Sequence, residues 1–94
     1  MIVSSLFAFS PGAVFYRILG THNIRTMAML IPTGADVGLF LDITDPYLGE
    51  YHTVTLNRGE LFSTKEDAVI QACKNLRNEI YKLEQQTKQD KVRQ

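Results

Sequence analysis

The side chains that could do acid, base or nucleophilic chemistry are few and scattered in this sequence. The only histidines are His22 and His52, and neither has the spacing of a metal site or stands beside the single cysteine, Cys73. Nucleophilic catalysis by Cys73 or Ser63 would need an adjacent base. Both residues have a structural explanation instead, Ser63 as a helix cap and Cys73 as part of an apolar helix face. We therefore expect no enzyme, no bound metal and no cofactor.

Two carboxylates stand close together in the middle of the chain. Asp42 and Asp45 could meet a hard cation, but the surrounding sequence lacks the further oxygen ligands that hold calcium or magnesium. The pair is typical of a strand end followed by a turn-forming Asp-Pro dipeptide. A phosphate-binding loop is not expected either, because Gly34 and Gly38 are followed by no lysine.

A set of arginines and tyrosines could form a basic, aromatic face of the kind that stacks nucleic-acid bases. The set consists of Arg17, Arg25, Arg58, Tyr16, Tyr47 and Tyr51. In the alternative, the tyrosines are half-buried and the arginines lie on a solvated sheet face. The formal net charge of zero favours this alternative, because a dedicated nucleic-acid binder usually has a basic face. Near the loop ends, Tyr47, Tyr51 and Arg58 are the residues that we expect to contact a partner protein.

Alternating apolar and polar residues predict strands over most of the first 56 positions. The predicted strands span residues 2–9, 13–19, 24–31, 37–43 and 51–56. Both faces of the third strand look partly covered, which indicates a central position in the sheet. Met27 and Met29 share one face of it, either as core filling under a helix or as an adaptable patch for a partner.

A capping motif marks the change from sheet to helix. Ser63 and Glu66 match the S/T-x-x-E capping box, in which the two residues satisfy free amide groups reciprocally at a helix start. We expect an amphipathic helix over residues 63–86. A polar tail over residues 87–94 should then fray.

One face of this helix carries an apolar stripe with heptad spacing, which another surface must cover. Its members, at steps of four, three, four and three residues, are Val69, Cys73, Leu76, Ile80 and Leu83. Ala68, Ala72 and the first three stripe residues are expected to fold back over the open face of the sheet. Ile80, Tyr81 and Leu83 lie farther out. They predict self-association, most simply as a twofold homodimer.

Length and composition describe one ordinary globular domain over residues 1–94, with a β-rich part over residues 1–62. The chain is 45% hydrophobic and 21% charged, and no segment reaches the roughly 20 apolar residues of a membrane span. The apolar start has no basic region, which favours a strand over a signal peptide. A single cysteine in so small a domain fits a reducing compartment, so we expect a cytoplasmic protein.

Two phrases and the order of the elements resemble a known class of proteins. The phrases are GAVFYRI at residues 12–18 and GELFSTKEDA at residues 59–68. With five short strands and a terminal helix, they resemble the small SH3-like barrel proteins common in bacteriophage genomes, over roughly residues 12–80. The resemblance implies a mainly β (α+β) fold, a five-stranded SH3-like small barrel or bent antiparallel sheet followed by one long helix. It also implies a non-enzymatic binding module, often an accessory protein that acts on a host factor.

The leading functional hypothesis is therefore a small protein-binding accessory module. A phage-encoded inhibitor that occludes the surface of a host or defence protein is its most specific form. A nucleic-acid-binding barrel that uses Arg17, Arg25 and Arg58 as phosphate contacts is the first alternative. The second is an oligomeric sponge that traps a nucleotide or metabolite between subunits.

Overall fold

A computed structural model describes residues 3–45 and 52–92 as one antiparallel sheet and one long helix. The sheet has the strand order β1-β2-β3-β4. Its strands are β1 (Val14–Leu19), β2 (Asn23–Pro32), β3 (Val37–Asp42) and β4 (Thr53–Asn57), and helix α1 spans Lys65–Val92. The α+β fold is therefore confirmed. The expectation of five strands in a barrel is wrong, because the described residues form four strands in an open sheet.

The N-terminal segment is not the strand that its alternating pattern predicted. Residues Leu6–Ala8 form a 3₁₀ turn, which Ser5 caps by accepting a hydrogen bond at Oγ from the amide of Phe7 (3.3 Å). The amide of Leu6 donates to the main-chain oxygen of Ala35 (2.8 Å), which ties the segment to the turn between β2 and β3. The apolar residues of this segment therefore cover the sheet and do not extend it.

The core lies between the N-terminal segment and one face of the sheet. The rings of Phe9 and Phe15 pack edge to face with centroids 4.9 Å apart, and Phe15 meets Phe40 in the same way at 6.0 Å. The buried members of the core are Val3, Leu6, Phe15, Met27, Met29, Phe40, Leu56 and Leu61. Core filling by the two methionines is thus confirmed, although the N-terminal segment covers this core.

One glycine allows the N-terminal segment to approach the sheet. A Cβ atom at Gly38 would lie 3.2 Å from the main-chain oxygen of Ile31, 3.2 Å from Phe40 Cε2 and 3.3 Å from Leu6 Cδ1. All three distances are tighter than an ordinary van der Waals contact. The absence of a side chain at this position therefore leaves the space that Leu6 and Phe40 occupy.

Strand β2 has the central position that its two apolar faces predicted. It pairs with β1 on one side and with β3 on the other, with an irregularity between Met29 and Ile31. The turn between β1 and β2 contains Gly20 with a φ of 69°, a conformation that favours glycine. A tight turn thus joins β1 and β2 into a hairpin.

The chain returns to the free edge of β1 before the helix begins. Tyr16 and Phe62 exchange two main-chain hydrogen bonds, of 2.9 and 2.7 Å, and form an isolated bridge. The connection from β4 is a 3₁₀ turn at Arg58–Glu60 with a capping box between Asn57 and Glu60. This bridge brings the start of α1 to the side of the sheet that carries β1.

The helix begins at Lys65, two residues after the predicted start at residue 63, and has a different cap. Thr64 Oγ1 accepts a hydrogen bond from the amide of Asp67 (3.2 Å), so Thr64 is the N-cap and the predicted Ser63 and Glu66 box is wrong. The helix also continues through Val92, beyond the predicted end at Gln86. Its length of 28 residues corresponds to about 42 Å, and the molecule is 58 Å long.

Candidate functional site

Helix α1 is attached to the sheet through the first half of its length. Ala68 and Ala72 are buried, and their small side chains allow α1 to lie close to β1 and β2. Asn75 donates a hydrogen bond from Nδ2 to the main-chain oxygen of Thr21 (2.9 Å) and accepts one at Oδ1 from Gln71 (3.0 Å). These contacts fix which side of the helix faces the sheet.

The heptad residues Val69, Cys73, Leu76, Ile80 and Leu83, here called the apolar stripe, do not cover the sheet. The expectation that Val69, Cys73 and Leu76 pack there is wrong. Val69 and Leu76 are 42% and 38% exposed, and Cys73 is exposed as well. The physical reason is that the alanines occupy the side of α1 next to the sheet, while the N-terminal segment already covers the core.

The outer half of α1 extends beyond the sheet. From residue 76 to residue 88 every side chain is exposed except that of Gln85, which is half-buried. Ile80 is 55% exposed and Leu83 is 61% exposed, so both lie farther out, as predicted. Tyr81 is 61% exposed but is rotated from Ile80 by about 100° around the helix axis, and therefore lies off the apolar stripe.

The apolar stripe is a candidate binding surface. From Val69 to Leu83 it follows one side of the helix over about 21 Å, at 1.5 Å per residue. Contiguous exposed apolar surface bordered by polar residues marks interaction sites on soluble proteins. Chemically, such a stripe can bury itself against an apolar groove or another helix.

Two opposite charges border the stripe on the side away from the sheet. Arg77 and Glu84 are exposed and lie seven residues apart, so helical geometry places them on the same side of α1. Neither forms an ion pair within residues 3–45 and 52–92, whereas Lys82 lies 3.9 Å from Glu79 on the same helix. Sequence reasoning named neither residue, although their heptad positions beside the stripe were a usable signal.

The predicted arginine face is not assembled, because its members have different roles. Arg25 Nε donates to Asp42 Oδ2 at 2.9 Å, and its Nη1 lies 3.5 Å from Asp45 Oδ2. Thr44 donates to the second oxygen of Asp42 from its hydroxyl (2.6 Å) and its amide (3.0 Å). Arg25 is thus part of a structural ion-pair cluster at the end of β3. Asp42 and Asp45, the two carboxylates weighed above as a cation site, are its partners.

Asp42 is held in its ionised form by this cluster. Burial acts to raise the pKa of Asp42, but the hydrogen bonds from Arg25 and Thr44 outweigh that effect and lower the pKa below the ordinary aspartate value. The hydrogen bond to Asp42 in turn raises the pKa of Arg25. The cluster therefore stabilises the fold and offers no free cation to a phosphate.

Arg58, named above for both partner and nucleic-acid contact, is also occupied. Its Nε lies 2.6 Å from Asp36 Oδ1, and its Nη1 donates to the main-chain oxygen of Val3 (3.3 Å). The amide of Arg58 donates to the main-chain oxygen of Asp36 (2.7 Å). The side chain thus joins three segments of the chain. Tyr47 and Tyr51 lie outside the described residues.

Arg17 is the member of the arginine set that keeps a free group. Its Nε is buried and has no hydrogen-bond partner in the described part of the chain. It lines a crevice of about 260 Å³ between the β1 edge and α1, together with Glu60, Gln71 and Asn75. Because Glu60 brings a carboxylate to the same crevice, the crevice combines one positive with one negative side chain.

The remaining candidates for chemistry are not brought together. His22 is exposed in the β1–β2 turn, His52 is exposed before β4, and Cys73 is exposed on α1. No group of three or more histidine, cysteine, aspartate or glutamate side chains suited to a metal ion occurs within residues 3–45 and 52–92.

Comparison of the chain with protein families, with curated proteins and with solved structures finds no match. Within the residues that the structure describes, no helix combines the length and the apolar character needed to cross a membrane. The geometry of the chain itself is therefore the basis for the functional argument.

Proposed function

We propose that this chain is a small non-enzymatic protein-binding module and that the apolar stripe of α1 is its binding surface. The observation that carries the proposal is the exposure of Ile80 and Leu83, at 55% and 61%. Both lie beyond Asn75, whose hydrogen bond to Thr21 is the farthest along α1 to the β1–β2 turn in the described residues. Exposed apolar stripes of this kind are covered in use, since leaving them in water is unfavourable.

The proposed binding mode is the docking of a straight amphipathic helix. Side chains spaced by three and four residues along one helix face can enter an apolar groove or pack against a second helix. The bordering charges of Arg77 and Glu84 would select the orientation of the partner.

Nucleic-acid binding has less support. Arg25 and Arg58 are neutralised by Asp42 and Asp36, which leaves Arg17 as the free cation of the set proposed for phosphate contacts. Affinity for nucleic acid rises with the number of phosphates that free cations neutralise. One free arginine beside Glu60 supplies little of that affinity.

Site-specific photo-crosslinking in the source cell tests the proposal. A photoreactive amino acid replaces Thr87, which is exposed one heptad beyond Ile80 on the same line. The matched control places it at Asn78, which is exposed on the opposite side of the helix. We expect a protein adduct, of any identity, from position 87 and none from position 78.

A second variant links the adduct to the stripe. Leu83→Asp should remove the adduct formed at position 87, because a carboxylate in an apolar contact is strongly unfavourable. Circular dichroism checks that the helix is retained. The absence of any protein adduct at position 87, or equal adducts at both positions, would refute the proposal.

A further inference from the structure

We propose that the occupant of the outer part of the apolar stripe, from Leu76 to Leu83, is a second copy of this chain, antiparallel to the first, with Ile80 opposite the partner's Leu83 and Leu76 opposite the partner's Thr87. This inference rests on the proposed function and names its partner. It uses three observations: the heptad spacing of the stripe, the extension of α1 beyond the sheet, and the charges of Arg77 and Glu84, which form no ion pair among the described residues.

The spacing of the stripe favours a second helix over a flat protein surface. Apolar residues at alternating steps of three and four keep one seam facing a partner helix when both helices supercoil. A copy of the same chain carries the same seam, so a twofold axis pairs the two without any further surface. The outer halves of α1 from two copies can pack together in this way, because their side chains are exposed.

Charge decides the orientation of the two helices. In a parallel pair, a residue at one border of the seam lies beside the partner residue five positions later in the sequence. Glu79 would then lie beside the partner's Glu84, and the twofold axis repeats this contact. In an antiparallel pair with Ile80 opposite the partner's Leu83, Arg77 lies beside the partner's Glu84, again twice. The antiparallel arrangement thus converts two repulsions into two attractions.

Charge and clearance from the attached half of α1 both favour this register over the neighbouring one. Sliding the antiparallel pair by one heptad, so that Leu76 meets the partner's Ile80, would place Arg77 beside the partner's Arg77 and Glu79 beside the partner's Glu79. The proposed register avoids both contacts. It also places the seam on the outer half of α1, away from the buried Ala68 and Ala72.

One substitution has opposite effects in the two orientations. Glu84→Arg in the full chain should weaken the antiparallel dimer, with its dissociation constant raised roughly tenfold, because two attractive pairs become repulsive. In a parallel dimer the same change would strengthen association, because the new guanidinium would lie beside the partner's Glu79. Sedimentation equilibrium at low ionic strength measures the constant, and the effect should shrink in high salt.

The charge-reversed pair completes the test. Arg77→Glu alone should weaken the dimer to a similar extent, and the double variant with Glu84→Arg should return to nearly the original constant. Lys74→Glu makes the same change in charge on an exposed part of α1 away from the seam and serves as the matched control. All of these side chains are exposed, so the fold should be unaffected.

Cys73 supplies an independent measurement. In the proposed register Cys73 and the partner's Cys73 are about 25 Å apart along the seam, too far for a disulfide. A parallel seam would place them opposite each other. We therefore expect mild oxidation to cross-link the dimer no faster than it cross-links Leu83→Asp, the variant with a disrupted seam.

Four results would overturn the inference: a monomer throughout the concentration range, tighter association of Glu84→Arg, no effect of Glu84→Arg, or rapid disulfide formation at Cys73. The first result together with an adduct to a different protein from position 87 would remove the second copy as occupant and leave the proposed function standing. The absence of any adduct would instead remove the proposed function itself.

Discussion

Asn75 donates a hydrogen bond from its side-chain amide to the main-chain oxygen of Thr21 at 2.9 Å, and this is the contact of its kind farthest along α1 in the described residues. It marks the point where the helix leaves the sheet. The stripe residues after it, Leu76, Ile80 and Leu83, are all exposed. The hydrogen bond therefore separates the attached half of the helix from the half that we propose for binding.

Removal of this hydrogen bond should weaken the attachment of the helix. We expect Asn75→Ala to lower the free energy of unfolding by about 1 kcal/mol, because the part-buried main-chain oxygen of Thr21 loses its donor. Urea denaturation followed by circular dichroism measures the change. Asn78→Ala, an exposed amide on the same helix, is the control and should have an effect within about 0.5 kcal/mol of zero. Equal losses in the two variants would contradict the assignment.

The N-terminal segment should contribute to stability as part of the core. Leu6→Ala is expected to lower the free energy of unfolding by about 3 kcal/mol, since a fully buried leucine is replaced and leaves a cavity. Phe7→Ala is the neighbouring control, because Phe7 is 64% exposed and should cost less than about 1 kcal/mol. Thermal and urea unfolding both report the difference. If Leu6→Ala unfolds like the unchanged chain, the segment does not cover the core.

A methyl group at residue 38 should strain the contact between this segment and the sheet. Gly38→Ala is expected to lower the free energy of unfolding by about 1 to 2 kcal/mol, because the new Cβ would press on a main-chain oxygen as well as on two side chains. Gly34→Ala is the matched control, since a Cβ there meets nothing within 4 Å. An unchanged midpoint for Gly38→Ala would mean that Leu6 and Phe40 move aside freely.

The Asp42 cluster should make stability depend on pH in the acidic range. The pKa of Asp42 is lower in the folded chain than in the unfolded chain, so its stabilisation is complete above the unfolded-state pKa of about 3.9 and is lost as the pH falls through the folded-state value. Asp42→Asn should cost about 2 kcal/mol at neutral pH, because the ionised acceptor of Arg25 and Thr44 is lost.

Denaturation measured from neutral to acidic pH checks both statements. The difference in stability between the unchanged chain and Asp42→Asn should shrink as the pH falls. Asp45→Asn is the comparison variant and should have a smaller effect, because Asp45 is more exposed and lies farther from Arg25. A constant difference at all pH values would show that Asp42 is not the titrating group.

The sheet could be predicted from the sequence because each of its strands has a local signature. Residues 24–31 have apolar side chains on both faces, and β2 has a neighbouring strand on each side. The N-terminal segment has the same alternation but forms a 3₁₀ turn. Alternating polarity shows which side chains are buried, but it does not distinguish a strand from a tight turn capped by Ser5.

The site was predicted in part for a similar reason. Heptad spacing identified the stripe, but spacing alone cannot show which side of a helix meets the sheet. Ala68 and Ala72, four residues apart, were the signal for the attached side, because small residues mark close approach. The roles of Arg25 and Arg58 depend on carboxylates 17 and 22 positions away in the chain, and sequence spacing contains no information about such pairings.

The bridge between Tyr16 and Phe62 has a consequence for aggregation. Fibrils grow when a sheet accepts a new strand at one edge and presents a fresh edge on the other side. The main-chain N–H and C=O of Tyr16 are already hydrogen-bonded to Phe62. An incoming strand would therefore have to displace the segment before the helix in order to pair along β1. Strand addition is thereby restricted to the β4 side. An accidental pairing there stops at two molecules and does not propagate.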